Sequence, residues 1–329
     1  MKKNSSAKEL LQKLGTLLAL VILIAVFCIT MPDKFPKIGN VMNILKQASI
    51  NCLIASGMLC ALITAGIDLS VGSNCVLCTC TIGVLVQNFG QTNPVLLAVC
   101  GLAVSTLAGF INGTLLTRLD LPHPFVSTMG MKNILWGLAL VITGSKSIGF
   151  TGAGVDSLMW LGGGSIGRMS DASGKVTFPG IPVSFILVII VFCIFDVFLK
   201  KTALGRQIYC CGGNPEAARL SGIMAALAGI VSVGRSGICN GANATQPYDT
   251  DAIAACIIGG ASFTGGKGTM FGTMLGCLII AVLRNGFTLL SIDSAVQNIV
   301  LGLVIILAVL MDVIRAQMEA KRRRLAAGK

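Results

Sequence analysis

Acidic residues are scarce: 13 Asp and Glu stand in 329 residues, against 25 Lys and Arg. Charged side chains make up 12% of the chain, far below the roughly 25% of a soluble protein. So few acids cannot coat a soluble surface of this size, which excludes a large water-soluble core. Histidine is nearly absent, with His123 standing alone, so a His-based metal site or a His proton relay is excluded. The 13 cysteines show no metal-ligand spacing. Cys78 and Cys80, Cys210 and Cys211, and Cys28, Cys52, Cys60 and Cys100 lie mostly among apolar residues, where free Cys behaves as a small hydrophobe. No metal is expected. The basic excess is not a nucleic-acid footprint either. It gathers in the first thirteen residues, in Lys200–Arg219 and in the tail Arg315–Lys329, as it does in cytoplasmic loops.

What is present is apolar sequence, 54% of the chain. Uncharged runs of about 17 or more residues recur, the signature of membrane-spanning helices. Hydropathy places spans near Leu14–Met31, Ala48–Ile67, Leu69–Val86, Pro94–Leu116, Phe125–Thr143, Ile181–Leu199, Thr269–Leu289 and Ala295–Val313, with shorter apolar runs at Leu220–Gly234 and Ala252–Ser262. The first run is as long as a full span and no small-residue cleavage site follows it, so it reads as a transmembrane helix and not a signal peptide. The link Pro32–Lys46 and a polar, glycine-rich segment, Gly144–Gly180, separate spans. Ten crossings put Arg118, Lys200–Arg219, Lys267 and the basic tail on the cytoplasmic side with the N-terminus, with Lys34, Lys37 and Lys46 as the exception on the other side. The expected fold is therefore all-α and polytopic, a single transmembrane domain over 1–329: a first group of spans at 14–199, a cytoplasmic segment at 200–223, a second group at 224–313 and a basic cytoplasmic tail at 314–329.

The stretch Gly259–Thr269, "GGASFTGGKGT", resembles a phosphate-binding loop, and the apolar run before it could be a buried strand. The spacing fails: Ala261 holds the first-glycine position, and Gly268 follows Lys267 where a metal-binding hydroxyl belongs. This run and "TAGIDLSVGS", Thr64–Ser73, read instead as helix breaks at membrane depth, tolerated where they are buried in protein or line a pathway. Tight packing of small residues explains the glycine run equally well. A weak echo links "INGTLLTRLD" (Ile111–Asp120) to "RNGFTLLSID" (Arg284–Asp293), with the two breaks ahead of them, as in inverted repeats of transporters.

Lys201–Ile223 reads "KTALGRQIYCCGGNPEAARLSGI". Asn214 suits a helix N-cap, Pro215 the first helical position and Glu216 the positive end of the dipole, while Gly222 can end the helix. The expectation is a short, rigid loop helix able to dock into a soluble partner, or an ordinary capped loop.

This segment resembles the cytoplasmic coupling motif of bacterial ABC-type monosaccharide permeases of the ribose, xylose and galactoside branch. The motif is carried by Gly205, Arg206, Ile208, Tyr209, Gly212, Gly213, Asn214, Glu216, Ala217, Ala218, Arg219, Leu220, Ser221 and Gly222, with Pro215 inside it. Further matches are Ile63–Ser73, Gly109–Leu119, Gly137–Gly144, Asp251–Thr269 and Gly302–Asp312. The resemblance implies an ABC importer permease of type II-like architecture in the bacterial inner membrane, with both termini cytoplasmic. It also implies a second permease copy, a separate ATPase subunit that binds ATP and Mg²⁺, and an extracytoplasmic sugar-binding protein; this chain would hold no cofactor and would not be an enzyme. One departure stands out. The family has a loop and a full span between "ARLSGI" and "AALAG", whereas here Ile223 runs directly into Met224-Ala225-Ala226. The window Leu220–Gly234, about 22 Å as a helix, is short for a core about 30 Å thick.

Sugar hydroxyls need polar groups on a lumen face. Asp68, Ser70, Asn112, Thr128 and Asp251, in or beside the breaks, are the pathway candidates; each could equally be a cap or an interhelical hydrogen bond. Permeation of another polar solute such as a nucleoside is an alternative. An ion-coupled secondary transporter would need membrane-embedded carboxylates. Inside spans two to six only Asp68 and Asp196 qualify; Asp196 is placed to pair with Lys200, and Asp68 to cap a helix starting at Leu69. No nucleophile–base pair supports a membrane enzyme.

Overall fold

The computed structural model describes residues 2–117, 124–210, 215–242 and 247–327; within 2–14, 215–219 and parts of the tail beyond 311 only the backbone is considered. Gly212, Gly213 and Asn214 of the coupling motif, Arg118 and His123 lie outside the described residues.

The chain builds α1 (Lys2–Thr30), α2 (Ile38–Ile63), α3 (Val71–Phe89), α4 (Pro94–Thr117) and α5 (Pro124–Thr143). An extramembrane segment follows with β1 (Ile148–Gly149), α6 (Asp156–Gly163), β2 (Ser165–Ile166), β3 (Met169–Ser170), β4 (Val176–Phe178) and β5 (Ile181–Pro182). Then come α7 (Val183–Lys201), α8 (Ala203–Cys210), α9 (Pro215–Ser236), β6 (Ile238–Cys239), α10 (Tyr248–Ile258), α11 (Met270–Leu289) and α12 (Ser294–Ala327). Among the described residues, seven helices are long and apolar enough to cross a membrane: α2, α3, α4, α5, α7, α11 and the first part of α12. Gly15–Thr30 of α1 and Leu220–Ser236 of α9 are shorter apolar stretches. The outer helices turn large apolar side chains outward, Leu107, Val141 and Ile306 among them, as lipid-facing surfaces require.

Two apolar cores hold the bundle. One joins α2, α7, α10 and α11 around Leu53, Met58 and Met270; the other joins α3, α4, α5 and α9 around Ile82, Leu97 and Ile230. Close approach depends on small residues. On α11, Gly272 and Gly276 sit one turn apart against Gly259 and Ala255, and a Cβ on either would collide with that backbone. The Thr16 hydroxyl lies 3.4 Å from the Ile258 carbonyl, while the Phe27 ring covers Gly286. Helices α1 and α11 therefore run in the same direction. A turn at 290–293 reverses the chain into α12, which returns to the end where α1 begins.

Several expectations are corrected. The link after Pro36 is helical from Ile38, and the Lys46 ammonium reaches back from α2 to the Gly163 carbonyl at 2.7 Å. The polar, glycine-rich segment 144–180 carries short strands and a helix: β1 pairs with β6 through Ile148 and Cys239, and two short antiparallel pairs, β2–β5 and β3–β4, follow α6. The run before "GGASFTGG" is helix α10 and not a strand; Asp249 and Asp251 in its first turn favour the helix dipole. Gly222 does not end a short helix. It lies inside α9, where a Cβ would stand 2.8 Å from the Ser105 carbonyl of α4. The end of the coupling motif, from Pro215, and the short apolar run are thus one continuous helix of 22 residues, about 33 Å long, of which Leu220–Ser236 is the apolar part. The proposed internal echo does not extend to the architecture. Two helices, α3 and α4, separate the first break from Asn112, but α11 alone separates the second break from Asn285.

Candidate functional site

The two chain breaks meet. The first is the turn 64–70 between α2 and α3, where Ala65 takes a positive φ of 59°. The second is the loop 259–269 between α10 and α11. The Gly266 N–H donates to the Ile63 carbonyl at 2.8 Å. Gly265, at φ 80°, lies over the same turn; a Cβ there would stand 2.9 Å from the Ile63 carbonyl. The second loop also closes on itself, with Ser262 N–H to the Lys267 carbonyl at 3.1 Å and Gly265 N–H to the Ser262 carbonyl at 3.1 Å. The Ser262, Gly265 and Gly266 amides thus serve the chain's own carbonyls, and Thr269 caps α11 by accepting from the Gly272 N–H at 3.1 Å.

The coupling segment is tied to this region through Tyr209 and Ser221. Gly205 lets α8 fold back on the end of α7, since a Cβ would collide with the Phe198 and Leu199 carbonyls. Thr202 accepts from the Gly205 N–H at 3.0 Å and starts α8. Ile208 is buried, and the Tyr209 hydroxyl donates to the Gly268 carbonyl at 2.8 Å. Arg206 stays exposed and donates to the Lys201 carbonyl at 3.2 Å. Pro215 opens α9 as its type and position dictate, and Glu216, Ala217, Ala218 and Arg219 follow on the helical backbone; half-buried Leu220 and buried Ser221 carry the motif into the bundle.

The pathway candidates fall into two groups. Asp68 is buried and accepts from the Ser70 N–H at 2.9 Å, the Ser70 hydroxyl at 2.5 Å and the Ser221 hydroxyl of α9 at 2.8 Å. It stands just ahead of α3, which begins at Val71 and not at Leu69. The Thr128 hydroxyl donates to the Ile67 carbonyl at 3.1 Å, and the neighbouring Ser127 hydroxyl donates to Asn112 at 2.7 Å. Asp68, Ser70, Asn112 and Thr128 thus share one buried polar patch with Ser221. Asp251 lies elsewhere. Arg284 of α11 holds it with Nε and Nη2, each at 2.7 Å.

Sequence reasoning missed the cations. Lys132 of α5 pairs with Asp249 at 2.6 Å, and Arg284 pairs with Asp251. Asp249 and Asp251, two residues apart, point to opposite sides of α10, so this helix is held by α5 on one side and by α11 on the other. The signal was available, because an ionisable side chain inside an apolar span is a functional candidate by default. Asp196 pairs with Lys200 at 2.7 Å, as the i,i+4 spacing requires. Beside Asp251 a cleft of about 410 Å³ opens between α2, α9, α10, α11 and α12, lined by Gln47, Asn51, Tyr248, Asp251, Arg284 and Gln297 with Arg235 at its edge.

An apolar multi-helix bundle with paired charges, broken helices and a polar cleft inside it is an integral membrane transport protein. The chain belongs to the family described as branched-chain amino acid transport system / permease component, which matches residues 40–309. It is 37% identical to the ribose import permease protein of Bacillus subtilis strain 168 over 317 residues, 92% of this chain and 93% of that protein. It is 35% identical to the D-allose transport system permease protein of Escherichia coli K12, covering 91% of each chain. It is 33% identical to the fructose import permease protein of Rhizobium meliloti, over 93% of this chain and 89% of that one. No solved structure matches it.

Proposed function

We propose that this chain is the permease subunit of an ATP-binding-cassette importer that moves a monosaccharide across the inner membrane. The observation that carries the substrate class is full-length similarity to permeases named for ribose, allose and fructose. The family description names amino acids, but those individual relatives are sugar permeases. The chain itself hydrolyses no ATP; a separate ATPase subunit binds ATP and Mg²⁺ and docks at 200–223, two permease copies form the membrane unit, and an extracytoplasmic protein delivers the sugar. The basic residues of the first thirteen positions, of 200–219 and of the tail 315–329 fall on one side of the ten-crossing arrangement, which supports cytoplasmic N- and C-termini. An ion-coupled mechanism is less well supported, since Asp249 and Asp251 are each closed by a cation.

The test is reconstitution with the cognate ATPase and binding protein, followed by ATP-driven uptake of ribose, allose and fructose. Uptake of at least one sugar is expected, together with no nucleotide binding by the purified permease alone. Saturable ATP binding to that isolated chain, or uptake without ATP, would overturn the reading.

A further inference from the structure

The cleft beside Asp251 has the chemistry of a site for an uncharged polyol. We infer that it is a monosaccharide-binding site within each protomer, an inference that rests on the sugar-import reading and locates the sugar. Its volume, about 410 Å³, falls in the range of small-molecule sites. Asp251, the one carboxylate in its lining, is closed by Arg284 through two contacts at 2.7 Å, while Arg235 remains as a donor at the wall. A zwitterionic amino acid would find no free carboxylate for its ammonium group, since both Asp251 oxygens are taken by Arg284. The cleft offers carboxamides instead, from Gln47, Asn51 and Gln297, and the Tyr248 phenol. Each of these can both donate and accept, as a sugar hydroxyl does.

One atom asks for a ligand directly. Asn51 is 8% exposed, and its Oδ1 has no hydrogen-bond partner among the described residues. A buried amide oxygen without a donor is costly; a sugar hydroxyl donating to it removes that cost. The cleft's position fits delivery. Arg235 ends α9, Arg284 lies near the end of α11, and Gln297 opens α12. All three stand at the end of the bundle opposite α8, the end to which an extracytoplasmic partner would bring its sugar.

The test uses the full chain in lipid nanodiscs and saturation-transfer NMR with millimolar D-ribose, D-allose and D-fructose, and with leucine as the amino-acid probe. At least one sugar is expected to give signals that Asn51→Ala abolishes and Gln47→Ala weakens about tenfold, the effect of one hydrogen bond; leucine is expected to give none. No sugar signal from the unaltered chain, sugar signals unchanged in both variants, or leucine signals lost in Asn51→Ala would each overturn the site. ATP-driven uptake by the complete transporter separates the two readings. Uptake with an unchanged KM in Asn51→Ala keeps sugar import and removes the cleft. Failure to transport any of the three sugars, with the NMR signals intact, removes sugar import and leaves a polyol site.

Discussion

The Gly266 amide donates to the Ile63 carbonyl at 2.8 Å, so the two places where helices break are stitched to each other. Gly265 rides over this seam in a left-handed conformation with no room for a Cβ. Gly265→Val combines strain of about 1–3 kcal/mol with a clash against backbone. Heating detergent-extracted protein and following its monodisperse fraction by size exclusion should show a melting temperature several degrees below that of the unaltered chain. Identical profiles would mean that the loops do not brace one another.

Asp68 answers three donors, two from Ser70 and one from Ser221. Ser221→Ala removes one of them at about 1 kcal/mol. Asp68→Ala leaves buried hydroxyls without an acceptor, at about 1–3 kcal/mol each. The same melting assay should rank Asp68→Ala well below Ser221→Ala; equal stabilities would show that this carboxylate does not tie α9 to the turn 64–70.

Tyr209 joins α8 to the glycine-rich loop through one hydroxyl. Tyr209→Phe keeps the ring and loses a bond of about 1 kcal/mol, too little to unfold the bundle. Normal membrane levels are expected, with fewer sugar molecules moved per ATP hydrolysed. An unaltered ratio of uptake to hydrolysis would confine the contact to a structural role.

Glu216→Lys inverts a charge at the start of α9, where the dipole contribution is about 0.3–1 kcal/mol. Insertion and expression should stay near normal while permease-stimulated ATPase activity and uptake are lost. Should the unaltered chain prove inactive, the same comparison is made with a relative's connecting span restored after Ile223. Full stimulation of the ATPase by the altered protein would show that the segment 200–222 does not dock it.

Orientation can be read by cysteine accessibility on a cysteine-free background. An impermeant thiol reagent added outside intact cells should label position 172, between β3 and β4, and not position 325 in the tail. Labelling at 325 would reverse the assignment of sides.

Hydropathy located α3, α4, α5, α7 and α11 to within a few residues, because uncharged runs bounded by Pro94, Pro124 or glycine leave few alternatives to a helix, but it missed the start of α2, where Lys46 interrupts the apolar pattern. It also found both breaks, where Asp68 and a cluster of glycines interrupt apolar sequence. What it could not supply was adjacency. Nothing local in Ile63 or Gly266 says that they touch, or that Ser221 of the coupling motif bonds Asp68 more than 150 residues earlier. Gly222 was misread because a helix-ending glycine and a packing glycine look alike until the neighbour is known, here the Ser105 carbonyl. Lys132 and Arg284 were passed over because the search for embedded charge considered only carboxylates. The alignment with the B. subtilis relative spans 317 residues, more than the 92% of this chain that enters it. The relative therefore has residues this chain lacks.

Helix α9 is continuous, and its continuity has a mechanical consequence. With Pro215 at one tip, Ser221 beside Asp68 and Arg235 at the cleft, it is a single rod without an elbow. A hinged connection could absorb a push at one end; a stiff rod passes it on undiminished. Whatever displaces the tip at Pro215 must slide or tilt the Asp68 anchor and the rim of the cleft in the same stroke, so gate and grip would move together, not in sequence.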